Sequence, residues 1–131
     1  MTLDINQIAA LYRLWAHLPR EFRNVDLSRP DYSGYRTEST CSAVNANVIT
    51  SEVRGAIDLH APVLDIDMPC TLTPSSTPGH FHLLIECGMP WRRYKKLLKA
   101  LGRAGILEDG FVRASLSRGY SSVRVPWVRK Q

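Results

Sequence analysis

Val63-Leu64-Asp65-Ile66-Asp67-Met68 and His80-Phe81-His82-Leu83-Leu84-Ile85-Glu86 are the stretches on which the fold turns. Both alternate apolar with polar residues, with one interruption at Leu84. A strand sends successive side chains to opposite faces, so this alternation reads as strand with one face buried. Leu64, Ile66 and Met68 then point one way, and Asp65 and Asp67 the other. Phe81, Leu83 and Ile85 share one side, while His80, His82 and Glu86 share the opposite one. Pro69 to Gly79 is rich in Pro, Ser and Thr and reads as the connection. An antiparallel hairpin with its apolar faces together would gather two aspartates, two histidines and a glutamate on one surface.

Downstream, Pro90 suits the first turn of a helix, and Trp91, Tyr94, Leu97, Leu98 and Leu101 recur at helical spacing. Arg92, Arg93, Lys95, Lys96, Lys99 and Arg103 occupy the rest of that helix, and Gly105 supplies its stop. Phe111 to Leu116 and Tyr120 to Val125 read as a second hairpin around Ser117-Arg118-Gly119, with a basic tail after Trp127. Upstream, Asp4 can cap a helix running to about His17, with Ile5, Ile8, Leu11, Tyr12 and Trp15 as its apolar stripe and Pro19 closing it. Residues 20–42 show no clear period, and Thr50, Ser51 and Glu52 open a short helix ending near Ile57. The expected architecture is one α+β domain over residues 1–131, with helices packed on one face of an antiparallel sheet.

A chain of 131 residues, 44% of them hydrophobic, is the size of one ordinary domain. It contains no apolar run long enough to span a bilayer and no charged-then-apolar leader, so a cytoplasmic setting without a membrane partner is expected. Cys41, Cys70 and Cys87 lack the close spacing of a zinc knuckle and read as reduced thiols. Charge is unevenly distributed: residues 92–131 hold 11 Lys and Arg against two acidic residues, whereas residues 1–91 hold six against ten. A basic segment suits phosphate-bearing partners, nucleic acid or nucleotide, although a solvated basic surface produces the same count.

The polar face of the central hairpin has a chemical reading. Two carboxylates two residues apart repel unless a cation lies between them. Carboxylate oxygens suit Mg²⁺ or Mn²⁺, and added imidazole admits Mn²⁺ or Zn²⁺. Asp65, Asp67 and Glu86 are the candidate metal ligands. The alternative is an ordinary solvated strand face. The loop Thr73-Pro74-Ser75-Ser76-Thr77-Pro78-Gly79 offers hydroxyls and backbone N–H groups that can hold an anion, or serves as a plain turn.

Val63-Leu64-Asp65-Ile66-Asp67 resembles the hydrophobic-Asp-hydrophobic-Asp strand of the archaeo-eukaryotic primase and primase-polymerase superfamily, and Ser76-Thr77-Pro78-Gly79-His80-Phe81-His82 resembles its second motif. The arrangement also looks like small phage-encoded proteins with a primase-like core. The resemblance implies a palm-like, ferredoxin-type sheet and nucleotidyltransferase chemistry in the cytoplasm of a host. Asp65 and Asp67 would be catalytic metal ligands, and His80 or His82 a phosphate contact. The family's third acidic motif has no counterpart, because Phe111 to Trp127 contains no Asp or Glu. Arg113 and Arg124 stand there instead and, with Ser76 and Thr77, are the candidate phosphate-binding residues. A reduced, non-catalytic relative is consistent with that departure.

Thr77 to Ile85 is also similar to the His-hydrophobic-His strand of rolling-circle replication initiators and small single-tyrosine transposases, which cut single-stranded DNA. That resemblance would make Tyr94 or Tyr120 a nucleophile. A third reading is a binding module without chemistry. Its basic helix, with Arg92, Arg93, Lys95, Lys96 and Lys99, would contact nucleic acid or a host protein.

Overall fold

The computed structural model describes residues 18–28 and 40–128. The helix expected from Asp4 to His17, the turn-rich stretch from Arg29 to Tyr35 and the end of the basic tail lie outside them. The chain falls into two compact units, Met1–Asp65 and Ile66–Gln131. Among the described residues there are two antiparallel sheets and two α-helices, an α+β arrangement.

In the first unit, β1 (Arg20–Arg23), β2 (Thr40–Cys41) and β3 (Val48–Val53) form a sheet in the order β2-β1-β3. A single 3-10 turn, Ala43–Asn45, links β2 to β3. Phe22 stands opposite Ile49 and Arg23 opposite Val48, and the register slips between Arg20 and Phe22. Among the described residues Val25, Val53 and Ala61 are the buried apolar side chains. Side chains that bind backbone add to their packing. Val25 N–H donates to Asn47 Oδ1 at 2.8 Å, and Asn47 Nδ2 donates to the Val25 carbonyl at 2.7 Å, so one amide stands in for a missing strand partner. Arg20 donates to the carbonyls of Ala61, Thr50 and Pro62, drawing the segment after β3 back onto the sheet. Arg23 pairs with Glu52 at 2.7 Å across β1 and β3.

The second unit begins with a hairpin, β4 (Cys70–Pro74) against β5 (Phe81–Ile85). Cys70, Leu72 and Pro74 stand opposite Ile85, Leu83 and Phe81, so these six share one face, and all six are exposed. Thr71 and Thr73 stand opposite Leu84 and His82 on the other. Helix α1 (Trp91–Arg103) follows. Gly105, at φ 78°, ends it: its N–H donates to the Gly102 carbonyl and the Ile106 N–H to that of Leu101, both orphan carbonyls of the last turn. Helix α2 (Asp109–Arg118) packs on α1. Leu98 on α1 is 2% exposed, a burial contributing about 2 kcal/mol. A Cβ on Gly102 would lie 3.1 Å from Val112 Cγ2, so the missing side chain lets the helices approach.

Four expectations are corrected. Residues 63–68 form no strand, and Leu64, Asp65, Ile66 and Asp67 are exposed in irregular backbone. Strand β4 lies instead inside the supposed connection, because Thr71 and Thr73 are good strand residues and alternate with Cys70 and Leu72. The short helix expected from Thr50 is strand β3, whose β-branched Val48, Ile49, Thr50 and Val53 pair with β1. The second hairpin is helix α2 followed by irregular chain. Phe111, Val112 and Ser115 point inward at helical spacing, Asp109 sits in the favourable first turn, and Gly119, at φ 84°, caps the helix rather than turning a hairpin.

Asn47→Ala removes both bonds to Val25 and leaves a backbone N–H and carbonyl without their partner. It is expected to lower stability by about 1–3 kcal/mol in urea unfolding, with Asn47→Asp, which retains only the acceptor, intermediate. Gly102→Val is expected to separate the helices and cost about 1–3 kcal/mol by overpacking.

Candidate functional site

Choice of partner by β5 decides which polar residues meet. His82 is half-buried and stands opposite Thr73, not opposite an aspartate. His80 lies in the preceding turn, exposed, its N–H donating to the Thr77 carbonyl at 3.1 Å and its carbonyl accepting from Ser75 N–H at 2.9 Å. Asp67 is exposed at a bend before β4, and Glu86 is exposed just beyond β5. Asp65 ends the first unit. Asp65, Asp67, His80, His82 and Glu86 therefore do not share one face of two paired strands. Among the described residues no three His, Cys, Asp or Glu side chains stand close enough to hold one ion.

Three of the sequence candidates do come together. A cleft of about 450 Å³ in the second unit is lined by Pro74, Ser75, Ser76, His82, Arg124 and Val125, among others. Arg124 Nη1 donates to Ser76 Oγ at 3.1 Å. A guanidinium has five N–H donors in a planar fork, so the remaining ones are available to an anion. Ser76 and Ser75 bring hydroxyls, and His82 brings an imidazole that donates from at least one nitrogen. The turn that carries the serines is fixed locally. Ser75 Oγ accepts from Thr77 N–H at 3.2 Å, and Gly79 takes φ 79°. Thr77 itself is exposed and Arg113 lies exposed on α2, and neither lines the cleft. Ser75 and Pro74 belong to the loop read from the sequence as able to hold an anion, although only Ser76 and Thr77 of that loop were individual phosphate-binding candidates. The Ser75-Ser76 pair at the end of a Thr-rich strand was the available signal.

The second feature is helix α1. At 100° per residue, Arg92, Lys96, Lys99 and Arg103 fall within one narrow stripe, and Arg93 and Lys95 flank it. All six are exposed except Lys95, which is half-buried. None of the six side chains forms an ion pair or hydrogen bond among the described residues. The opposite side carries Trp91, Tyr94 and Leu98, with the Trp91 and Tyr94 rings edge-to-face at 5.7 Å.

Neither tyrosine of the nuclease reading is poised as a nucleophile. The Tyr94 hydroxyl shares a hydrogen bond with Ser121 Oγ and is partly buried. Tyr120 is exposed, with the Arg118 guanidinium 5.3 Å above its ring. Attack on a phosphodiester needs a deprotonated phenol held in line with a metal-polarised phosphate. Single-stranded DNA with Mn²⁺ is therefore expected to give no covalent adduct on a denaturing gel. An adduct abolished by Tyr94→Phe or Tyr120→Phe would establish the nuclease chemistry instead.

No protein-family model, curated protein or solved structure matches this chain.

Proposed function

We propose that the unit spanning residues 66–131 is a nucleic-acid-binding module that grips backbone phosphates without a resident metal ion. The observation that carries this reading is the stripe Arg92, Lys96, Lys99 and Arg103 on α1, four cations in line with no acidic partner among the described residues. Steps of three or four residues along a helix separate the charges by about 5–6 Å, and the whole stripe covers ~16 Å. Such a row neutralises successive phosphates, and each contact releases a condensed counterion. The surrounding charge favours the same partner: residues 66–131 contain 11 Lys and Arg against four Asp and Glu. The Ser76–His82–Arg124 cleft adds a recessed anion subsite with directed donors.

This reading favours binding over turnover. Phosphate contacts supply affinity and orientation but carry no sequence information of their own. The metal-dependent, primase-like alternative requires Asp65 and Asp67 to act on one ion, and a host-protein partner requires no salt dependence of this strength.

The test is fluorescence anisotropy of a labelled oligonucleotide between 50 and 200 mM salt. With four phosphate contacts, the slope of log K against log salt is expected near −3 to −4. Replacing Arg92, Lys96, Lys99 and Arg103 with Ser is expected to weaken binding strongly and flatten the slope, with helical circular dichroism retained. Chelation of divalent ions is expected to leave binding unchanged. Salt-independent binding, or none, refutes the proposal. Binding that requires Mn²⁺ and disappears in Asp65→Asn with Asp67→Asn establishes the primase-like reading in its place.

A further inference from the structure

The segment after α2 contains one side chain at odds with its chemistry. Trp127 is 81% exposed, whereas Trp91, the other tryptophan of the same unit, is half-buried. It is not on a free end. Val128 N–H donates to the Val125 carbonyl at 3.1 Å, closing a four-residue turn with Pro126 and Trp127 at its centre. Proline at the second position of such a turn fixes its own φ and stiffens the corner. Arg124, immediately before the turn, is tied to Ser76. Val125, Pro126 and Val128 line the cleft, so Trp127 belongs to a turn whose residues on both sides of it border the cleft. Its ring N–H has no hydrogen-bond partner among the described residues.

We propose that Trp127 is a base-stacking residue: a phosphate occupies the Ser76–Arg124 cleft while an unpaired nucleobase stacks on the indole. The inference rests on the nucleic-acid reading above and narrows it to single strands. Every nucleobase has a π-face, so an aromatic platform beside a cationic groove binds single strands with little sequence preference. In a duplex those faces are covered by neighbouring base pairs, and the indole gains nothing without unstacking them. Tyr120 does not serve as the platform in this arrangement, because the Arg118 guanidinium already covers one face of its ring. The two contact types separate energetically. The charge of α1 sets the salt dependence, and the indole adds affinity that salt does not screen.

The experiment titrates the full chain with unlabelled oligodeoxythymidylate and with a duplex of equal length, following tryptophan emission and competition against a labelled strand. Trp15 and Trp91 also emit, so the signal of Trp127 is the difference between the native chain and Trp127→Phe. Quenching by the single strand is expected to be lost in Trp127→Ala. That variant should lose about tenfold in single-strand affinity, keep its salt slope and bind duplex as before. Trp127→Phe is expected to recover part of the affinity. If neither form binds, this inference and the nucleic-acid reading both fall. If both forms bind equally and Trp127→Ala changes nothing, the phosphate reading stands and the stacking role is refuted.

Discussion

Strand β5 has to bury its backbone hydrogen-bonding groups against something, and its pairing with β4 fixes where the remaining polar groups of the second unit go. Two backbone bonds bracket the pairing: Ser75 N–H to the His80 carbonyl at one end and Glu86 N–H to the Pro69 carbonyl at the other, each 2.9 Å. Slipping the register by one residue would exchange the two faces of the hairpin and turn His82 away from Thr73. The observed register puts His82 beside the serine turn. Ser76 in turn meets Arg124, some fifty residues later in the chain. Loop length alone does not enforce this choice, since doubling a connection costs only about 0.6 kcal/mol. The decisive local terms are the β-branched Thr71 and Thr73 and a turn whose Gly79 adopts a left-handed conformation that other residues resist.

The two units are held by different means. Among the described residues the first combines three buried apolar side chains with directed polar contacts: Arg20 on three carbonyls, Asn47 on the backbone of Val25, and Arg23 on Glu52. The second is organised by helix contact around Leu98, Val112 and the gap at Gly102. Its last segment is anchored twice, through Tyr94 to Ser121 and through Arg124 to Ser76. These anchors join the helix that carries the cationic stripe to the segment that helps form the cleft. The cationic stripe and the cleft therefore belong to one connected framework.

Helix α1 was legible in the sequence because its period, its proline start and its glycine stop all agree. Strand β5 was legible from alternation, but His80 and Glu86 fall outside it, Leu84 shares the His82 face, and the face of Phe81, Leu83 and Ile85 expected to be buried is exposed. Its partner was not legible, because Pro, Ser and Thr were read as turn residues although Thr is also a strand former. Residues 63–68 have the pattern of a strand but pair with no strand among the described residues, and alternation by itself says nothing about pairing. The end of the chain failed for a related reason. Gly119 suits a hairpin turn and a helix C-terminus equally, and the acidic pair Glu108-Asp109 was the cue for a helix start. At the site, the chemistry of Ser76, His82 and Arg124 could be read from residue type. Their meeting depended on the hairpin register and on an irregular segment whose path carries no periodic signal.

The hairpin face formed by Cys70, Leu72, Pro74, Phe81, Leu83 and Ile85 leaves an apolar surface on a ribbon that, among the described residues, has no strand paired to either edge. Ribbons of this kind are templates for edge-to-edge growth into fibrils. Here the threat is limited by composition. Pro69 stands just before β4 and Pro74 ends it, so the strand is five residues long and bounded by two positions without an N–H to offer an incoming chain. Pro78 and Pro90 bracket β5 in the same manner at a greater distance. The prolines thus act as gatekeepers, and substituting Pro69 or Pro74 with a β-branched residue would lengthen the ladder and trade monomer solubility for polymerisation.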